Sequence, residues 1–411
     1  MKSFATIIIL SIVSILPTHA QSLSWMHYNH NNSPLPSNSI TVTLSTEDGV
    51  WVGTNQGLAF YDGSDWTVYM HETSQLPDNY VQDIHEDDWG NTWVATDAGI
   101  VRINEDGWQV FDQANSELPT NTIRSVTTDS EGNLWVGTWG YGIANLNGND
   151  WTIYNTTNSE LPSNGIFTIE LNDNGDVWVG TYNGGVSVLR EHTWTNYNTS
   201  TSQLPNNNVR SITFDDQQTV WLGTDDGLAK FSGGAWQAYT YQNIGFSVHT
   251  FYDGIKQSSG DVFFGTDGGI VHFNQSEFEV ITAQNSNLVS NNVRCITQDE
   301  NGDIWVGTGN DGISVYSPLG TLSLEDENYN SIGIEIYPNP TVNELNLRLD
   351  DSANEPVLIQ IRNATGQLVE SESFTTSGQT HHVNVTHLPS GVYHLTLKSA
   401  NSLSAKTFCK L

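Results

Sequence analysis

The sequence predicts an all-β chain: a ring closed from seven four-stranded units, then a small Ig-like antiparallel β-sandwich. Three observations carry this. A Trp-Val-Gly-Thr anchor or a close variant begins at Trp51, Trp93, Trp135, Trp178, Trp221, Phe263 and Trp305, at spacings of 42, 42, 43, 43, 42 and 42 residues. A short aromatic run keeps the same beat at Trp25, Trp66, Trp108, Trp151, Trp194, Trp236 and Phe278. A Leu-Pro-x-Asn connector runs in step from Leu35, Leu76, Leu118, Leu161 and Leu204, decays at Ile244 and returns at Leu288.

From the N-terminus, Lys2, an apolar run over residues 7–16 and small Thr18 and Ala20 read as a secretory signal over residues 1–20. Each repeat then resolves into four strands. The unit opening at Leu118 predicts strand A over 122–127, a turn at Asp129-Ser-Glu-Gly132, strand B over 134–138, strand C over 142–145, a turn at Asn147-Gly-Asn149 and strand D over 151–155. Four strands per 42 residues is the pattern of a β-propeller blade. The run at Trp25 is a strand D with nothing before it, and the last unit supplies A, B and C without a D. Pairing the two fragments closes a seven-bladed β-propeller over residues 21–318 and hides both edges. The anchor aromatics read as packing between blades.

An acidic, polar stretch, residues 319–331, reads as a linker, and residues 332–411 as the second domain. There, apolar and polar residues alternate over 334–340, 344–349, 357–363, 367–373, 382–385, 391–398 and 405–409. The two cysteines, Cys295 and Cys409, fall in different domains, which predicts free thiols.

Composition excludes some partners. Thirteen Lys and Arg against 46 Asp and Glu give a formal charge of −33, which repels phosphate backbones and anionic lipid surfaces. Nucleic acid is therefore not expected. No stretch after the signal approaches the roughly 18 apolar residues that span a bilayer, so no transmembrane segment is expected.

The blades, with cores such as Asp129-Ser-Glu-Gly-Asn-Leu-Trp-Val-Gly-Thr138, resemble the two-component-regulator type of propeller repeat, found as seven-bladed periplasmic sensor heads of hybrid histidine kinases. In that family propellers usually come in pairs, ahead of a membrane helix and a kinase, so direct signalling through a kinase is not expected here. The tail resembles the C-terminal sorting domain of the type IX secretion system of Bacteroidetes. Its matching residues are Tyr337-Pro-Asn-Pro340, the turn Ile361-Arg-Asn-Ala-Thr-Gly366, Leu388-Pro-Ser-Gly-Val-Tyr393 and the terminal stretch 406–410; Cys409 departs from the pattern. That resemblance implies export through the type IX machinery, and release or attachment at the outer-membrane surface.

Catalytic signatures are missing: no Gly-x-Ser-x-Gly, no His-Glu-x-x-His, no phosphate-cradling glycine loop and no zinc cluster, so no cofactor or metal is expected. Glu170-x-Asn172-x-Asn174-Gly175 lacks the distal Glu of a calcium loop and reads as a hairpin turn. The Gly-Asn-Leu-Trp turns also resemble those of streptogramin-lyase-like propellers. Asp173-Asn-Gly-Asp-Val-Trp178 resembles a sialidase-type Asp-box. His85 and His249 read as core or rim imidazoles.

Binding residues are sought where the repeat varies. The B–C turns carry Trp139-Gly-Tyr141 in blade 3 and Tyr182-Asn183 in blade 4, neighbouring aromatics suited to stacking on sugar rings. Blade 7 carries Asn310-Asp311 in its turn. Arg124, Arg210 and Arg294 share one register at the start of strand A, where other blades are read to hold Thr41, Gln82, Phe167 and His249. Facing the channel mouth, such guanidiniums would bind a carboxylate or sulfate; otherwise each would pair with a turn Asp. The expected function is a secreted or cell-surface module binding an extracellular glycan or a surface protein, with a propeller lyase or glycoside hydrolase as the alternative.

Overall fold

Short β-branched and aromatic runs, punctuated by Gly, Asn and Asp turns, form seven four-stranded antiparallel sheets in the computed structural model. It describes residues 24–215, 219–244, 248–257, 259–317, 334–349, 356–363, 368–375, 380–398 and 403–411. The expected signal and linker lie outside these residues. Strand A of blades 1 to 7 is Ile40–Thr46, Val81–Glu86, Ile123–Thr128, Ile166–Leu171, Val209–Phe214, Phe251–Lys256 and Val293–Gln298. In each blade A pairs with B, B with C and C with D. Blade 3 completes the pattern with Leu134–Thr138, Ile143–Asn147 and Asp150–Tyr154.

The ring closes as the sequence predicts. Ser24–Tyr28 pairs antiparallel with Ile313–Ser317, setting Trp25 opposite Tyr316, and so supplies strand D of blade 7. Trp25 stacks on Tyr316 with centroids 5.2 Å apart, and Tyr28 lies parallel to Trp305 at 5.8 Å.

The core sits between blades. Trp93 of blade 2 packs with Ile123, Val126 and Val136 of blade 3; Trp178 of blade 4 packs with Ile212 and Leu222 of blade 5. Trp305 of blade 7 meets Ile40 and Val52 of blade 1, completing the circle. The connector leucines are buried plugs in these seams: Leu35, Leu76, Leu118, Leu161, Leu204 and Leu288. Glycine in the anchor permits the approach, since a Cβ at Gly137 would lie 2.6 Å from Ile166 of the next blade.

Polar groups complete the seams. Asp87, in the A–B turn of blade 2, accepts the Trp93 indole N–H at 3.0 Å, and Asp299 does the same for Trp305 at 2.9 Å. Blade 4 has Asn172 at this place, and Trp178 Nε1 is left buried without a partner. Asn172 instead accepts the N–H groups of Asn174 and Asp176 within a turn carrying Gly175 at φ +78°, the hairpin expected there.

The tail is a sandwich of two antiparallel sheets. One contains Ile334–Tyr337, Glu344–Leu349 and His381–Asn384; the other has Leu368–Thr375, Pro356–Asn363, Gly391–Lys398 and Leu403–Lys410 in that spatial order. Leu345, Leu347 and Val383 of the first share one core with Ile359, Ile361, Leu395, Leu397 and Phe408 of the second. Asn339 of the Tyr-Pro-Asn-Pro motif accepts the Cys409 N–H at 2.9 Å, and Thr341 N–H donates to the Cys409 carbonyl at 2.8 Å. The motif thus fastens the last strand of the chain. Among the described residues, no helix is long and apolar enough to cross a membrane.

Candidate functional site

Antiparallel pairing brings the start of strand A and the end of strand B to the same end of every blade, as in Ile123 opposite Thr138. The anchor threonine then fixes the B–C turn. Thr138 Oγ1 donates to the Gly142 carbonyl at 2.7 Å and accepts the Tyr141 N–H, and Thr54, Thr96, Thr181, Thr224, Thr266 and Thr308 make the matching bond to a glycine carbonyl. Each turn is therefore held rigid, and the residue after the threonine stands beside the second residue of strand A.

Around the ring these juxtaposed positions are Thr41 and Asn55, Gln82 and Asp97, Arg124 and Trp139, Phe167 and Tyr182, Arg210 and Asp225, Tyr252 and Asp267, and Arg294 and Gly309. Gln82 Nε2 donates to Asp97 at 2.8 Å, while its carbonyl accepts from Arg124 Nη1 at 2.8 Å. The Arg124 guanidinium lies over Trp139 at 5.2 Å, with its Nε buried and unpartnered. Trp139 meets Phe167 at 5.6 Å and Tyr182 at 5.4 Å. Arg210 covers Phe167 at 4.7 Å, approaches Tyr252 at 5.7 Å and forms an ion pair with Asp225; Arg294 covers Tyr252 at 4.2 Å. Cations and rings thus alternate in a continuous arc over blades 3 to 7, each stabilised by the ring quadrupole of its neighbour.

Five of the seven residues singled out from the sequence, Arg124, Trp139, Tyr182, Arg210 and Arg294, lie in this arc, and Tyr141 shares the turn of Trp139. Trp139, Tyr141 and Tyr182 are 40%, 55% and 44% exposed. Of the three arginines, Arg210 alone has a turn Asp as an ion-pair partner among the described residues. His249 is corrected: it lies outside strand A, exposed, against Tyr241 at 5.3 Å, and its N–H donates to Asp267. Tyr252 holds the ring position instead. The connector into blade 6 abandons the Leu-Pro-x-Asn pattern for a helical turn, Tyr241–Ile244, which removed the marker that fixed the register. Counting back 14 residues from the anchor threonine finds Gln82, Arg124, Phe167, Arg210, Tyr252 and Arg294 alike. In blade 7 it is Gly309, one residue before the Asn310-Asp311 pair, that stands beside Arg294.

Below this mouth the inner strands turn acidic. Asp83 accepts the Val126 N–H of the next blade at 2.9 Å, and Asp253 the Ile296 N–H at 2.9 Å, tying neighbouring inner strands together. Burial pushes the Glu170 carboxyl up to about 8, with the Asp83 and Asp253 charges adding to it. Burial likewise raises Asp83 to about 7, against hydrogen bonds from Val126, Ile84 and Ser125, and Asp253 to about 6. Burial drives the His85 imidazole down to about 4, and its Nε2 lies 2.9 Å from Thr128 Oγ1. At the far end of the strands a cavity of about 430 Å³ is bordered by Glu170, Thr213, Lys256 and Gln298. Among the described residues, no group of three or more metal-ligating side chains is arranged to hold an ion.

The class defined by this architecture is a seven-bladed repeat propeller whose B–C turns vary from blade to blade, followed by a sandwich tail. Residues 75–98, 117–140, 160–183, 203–226 and 287–310 match the two component regulator propeller family, and residues 335–410 match the secretion system C-terminal sorting domain. The chain thus carries two-component-regulator-type propeller repeats and a type IX C-terminal sorting domain, which indicates export to the cell surface or secretion.

Solved structures share the fold. The extracellular domain of BT3049, described as a hybrid two component system of B. thetaiotaomicron, superposes with a TM-score of 0.64 at 20% identity, over 94% of this chain and 57% of that one. PorZ, a surface component of the type IX secretion system of Porphyromonas gingivalis, gives 0.57 at 17%, over 91% and 59%. Virginiamycin B lyase from Staphylococcus aureus gives 0.58 at 13%, over 72% and 99%. The chain therefore spans under three-fifths of the length of the first two. No curated protein matches the sequence.

Proposed function

We propose that the propeller is a binding module for an extracellular glycan, carried out of the cell by an N-terminal secretory signal and the sorting domain, and engaging its ligand at the mouth of the ring. The observation that carries this reading is the pair of exposed rings Trp139 and Tyr182, on rigid turns of two adjacent blades, both packed on half-buried Phe167 of strand A of blade 4. Large exposed rings at a soluble surface cost hydration free energy unless something covers them, and the C–H face of a pyranose is a fitting cover. Gln82, Asp97, Asn183 and Asp225 stand around the cluster to meet hydroxyls. Recognition needs no chemistry beyond this, which favours binding over turnover.

A glycan array with the secreted protein tests the reading, run beside hydrolysis and lyase assays on the same polysaccharides. Trp139→Ala and Tyr182→Ala are expected to lower affinity at least about tenfold, the loss of one aromatic contact. The melting temperature should stay within a few degrees, because both rings are exposed. Unchanged affinity would remove the aromatic platform, and saturable turnover would replace binding with catalysis.

A further inference from the structure

Blades 5 and 7 carry the same tetrapeptide into strand A, Asn207-Asn-Val-Arg210 and Asn291-Asn-Val-Arg294. In blade 5 its two donors close on a carboxylate of the protein. Asn208 Nδ2 donates to Asp225 Oδ2 at 2.7 Å, and Arg210 Nε donates to Asp225 Oδ1. In blade 7 the residue in the place of Asp225 is Gly309. The donors converge there nonetheless: a Cβ at Gly309 would lie 2.4 Å from Asn292 Nδ2 and 3.5 Å from Arg294 Nε.

Arg294 forms no ion pair with any described residue, in a chain with 46 acidic side chains to choose from. Its guanidinium is fixed by stacking on Tyr252, so little freedom remains to be lost on binding. Blade 5 shows what such a donor pair takes, namely a carboxylate held through both oxygens.

We infer that the notch formed by Asn292, Arg294 and Gly309 binds a free carboxylate, and that this is the uronic-acid group of an acidic saccharide. The sugar part rests on the proposed glycan function; the carboxylate part rests on the blade 5 counterpart alone. The saccharide is favoured over an acidic peptide because the notch is continuous, through Tyr252, Arg210 and Phe167, with the exposed rings of blades 3 and 4.

The test is calorimetric titration of the full-length mature protein with oligogalacturonate, with its methyl ester and with oligoglutamate. Wild type is expected to bind the acid at least about tenfold more tightly than the ester, the worth of a charge-assisted contact. Gly309→Asp should fill the notch with its own carboxylate, erase that preference and keep or raise the melting temperature. Arg294→Gln should also erase the preference, and the acid-to-ester ratio of wild type needs no variant. Equal binding of acid and ester would overturn the carboxylate site and leave the glycan reading standing. Binding of oligoglutamate alone, abolished in Gly309→Asp, would overturn the saccharide. Binding of none of the three would overturn both.

Discussion

Asp87 accepts the backbone N–H groups of Trp89 and Asn91, the Asn91 amide and the Trp93 indole. Replacing it by Ala leaves these donors without their acceptor at the edge of a seam, so Asp87→Ala should lower stability by about 2 kcal/mol in urea titrations. Blade 4 already lives with part of that cost, since Asn172 leaves the Trp178 indole unmatched. At the mouth, Asp225 is the residue whose removal should imitate blade 7. In Asp225→Gly, Asn208 and Arg210 lose their internal carboxylate, and the stoichiometry for oligogalacturonate should rise from one to two; an unchanged value would count against the equivalence of the two blades.

Among the elements, the strand Ser24–Tyr28 has the largest consequence for its length. It contributes five register pairs and the Trp25 and Tyr28 ring contacts to blade 7. Removing it exposes the edge of Ile313–Ser317, and thermal melts should show a loss of several kcal/mol, roughly 10 °C or more, with a rise in association. The need for this strand was legible in the sequence, because an aromatic D run stood without its blade. The seven tail strands were legible for a similar reason, each being an alternating run bounded by turn residues. What was not legible came from contacts between repeats. Tyr252 was hidden by the irregular entry to blade 6. The roles of Asn292 and Gly309 emerge only when blades 5 and 7 are compared side by side, and the inner carboxylates meet only once the ring is closed.

For the whole molecule, those inner carboxylates set the pH response. Glu170 titrates near 8 when folded against 4.5 as a free side chain, and Asp83 near 7 against 3.8. The folded state holds these protons more tightly, so their contribution is complete at acid pH and is lost as pH rises from about 4 through 8. His85 acts the other way: its folded value near 4 lies below 6.5, so it favours folding above pH 6.5 and loses that contribution as pH falls toward 4. Above pH 6.5 only the carboxyl effect remains. The melting temperature should therefore decline by a few degrees from pH 6.5 to 8, and Glu170→Gln should flatten the decline. A rising or flat wild-type curve over that range would contradict the placement of these groups.

The pairing of Trp25 with Tyr316 joins residues 291 positions apart, so the first strand of the ring must wait for nearly everything else. A chain cut short anywhere before residue 313 keeps an unsealed seam and a sticky flank, whereas one that extends into the sorting segment has every part needed to seal. Because the sorting domain follows the closing strand in the chain, the address label lies downstream of the fastener.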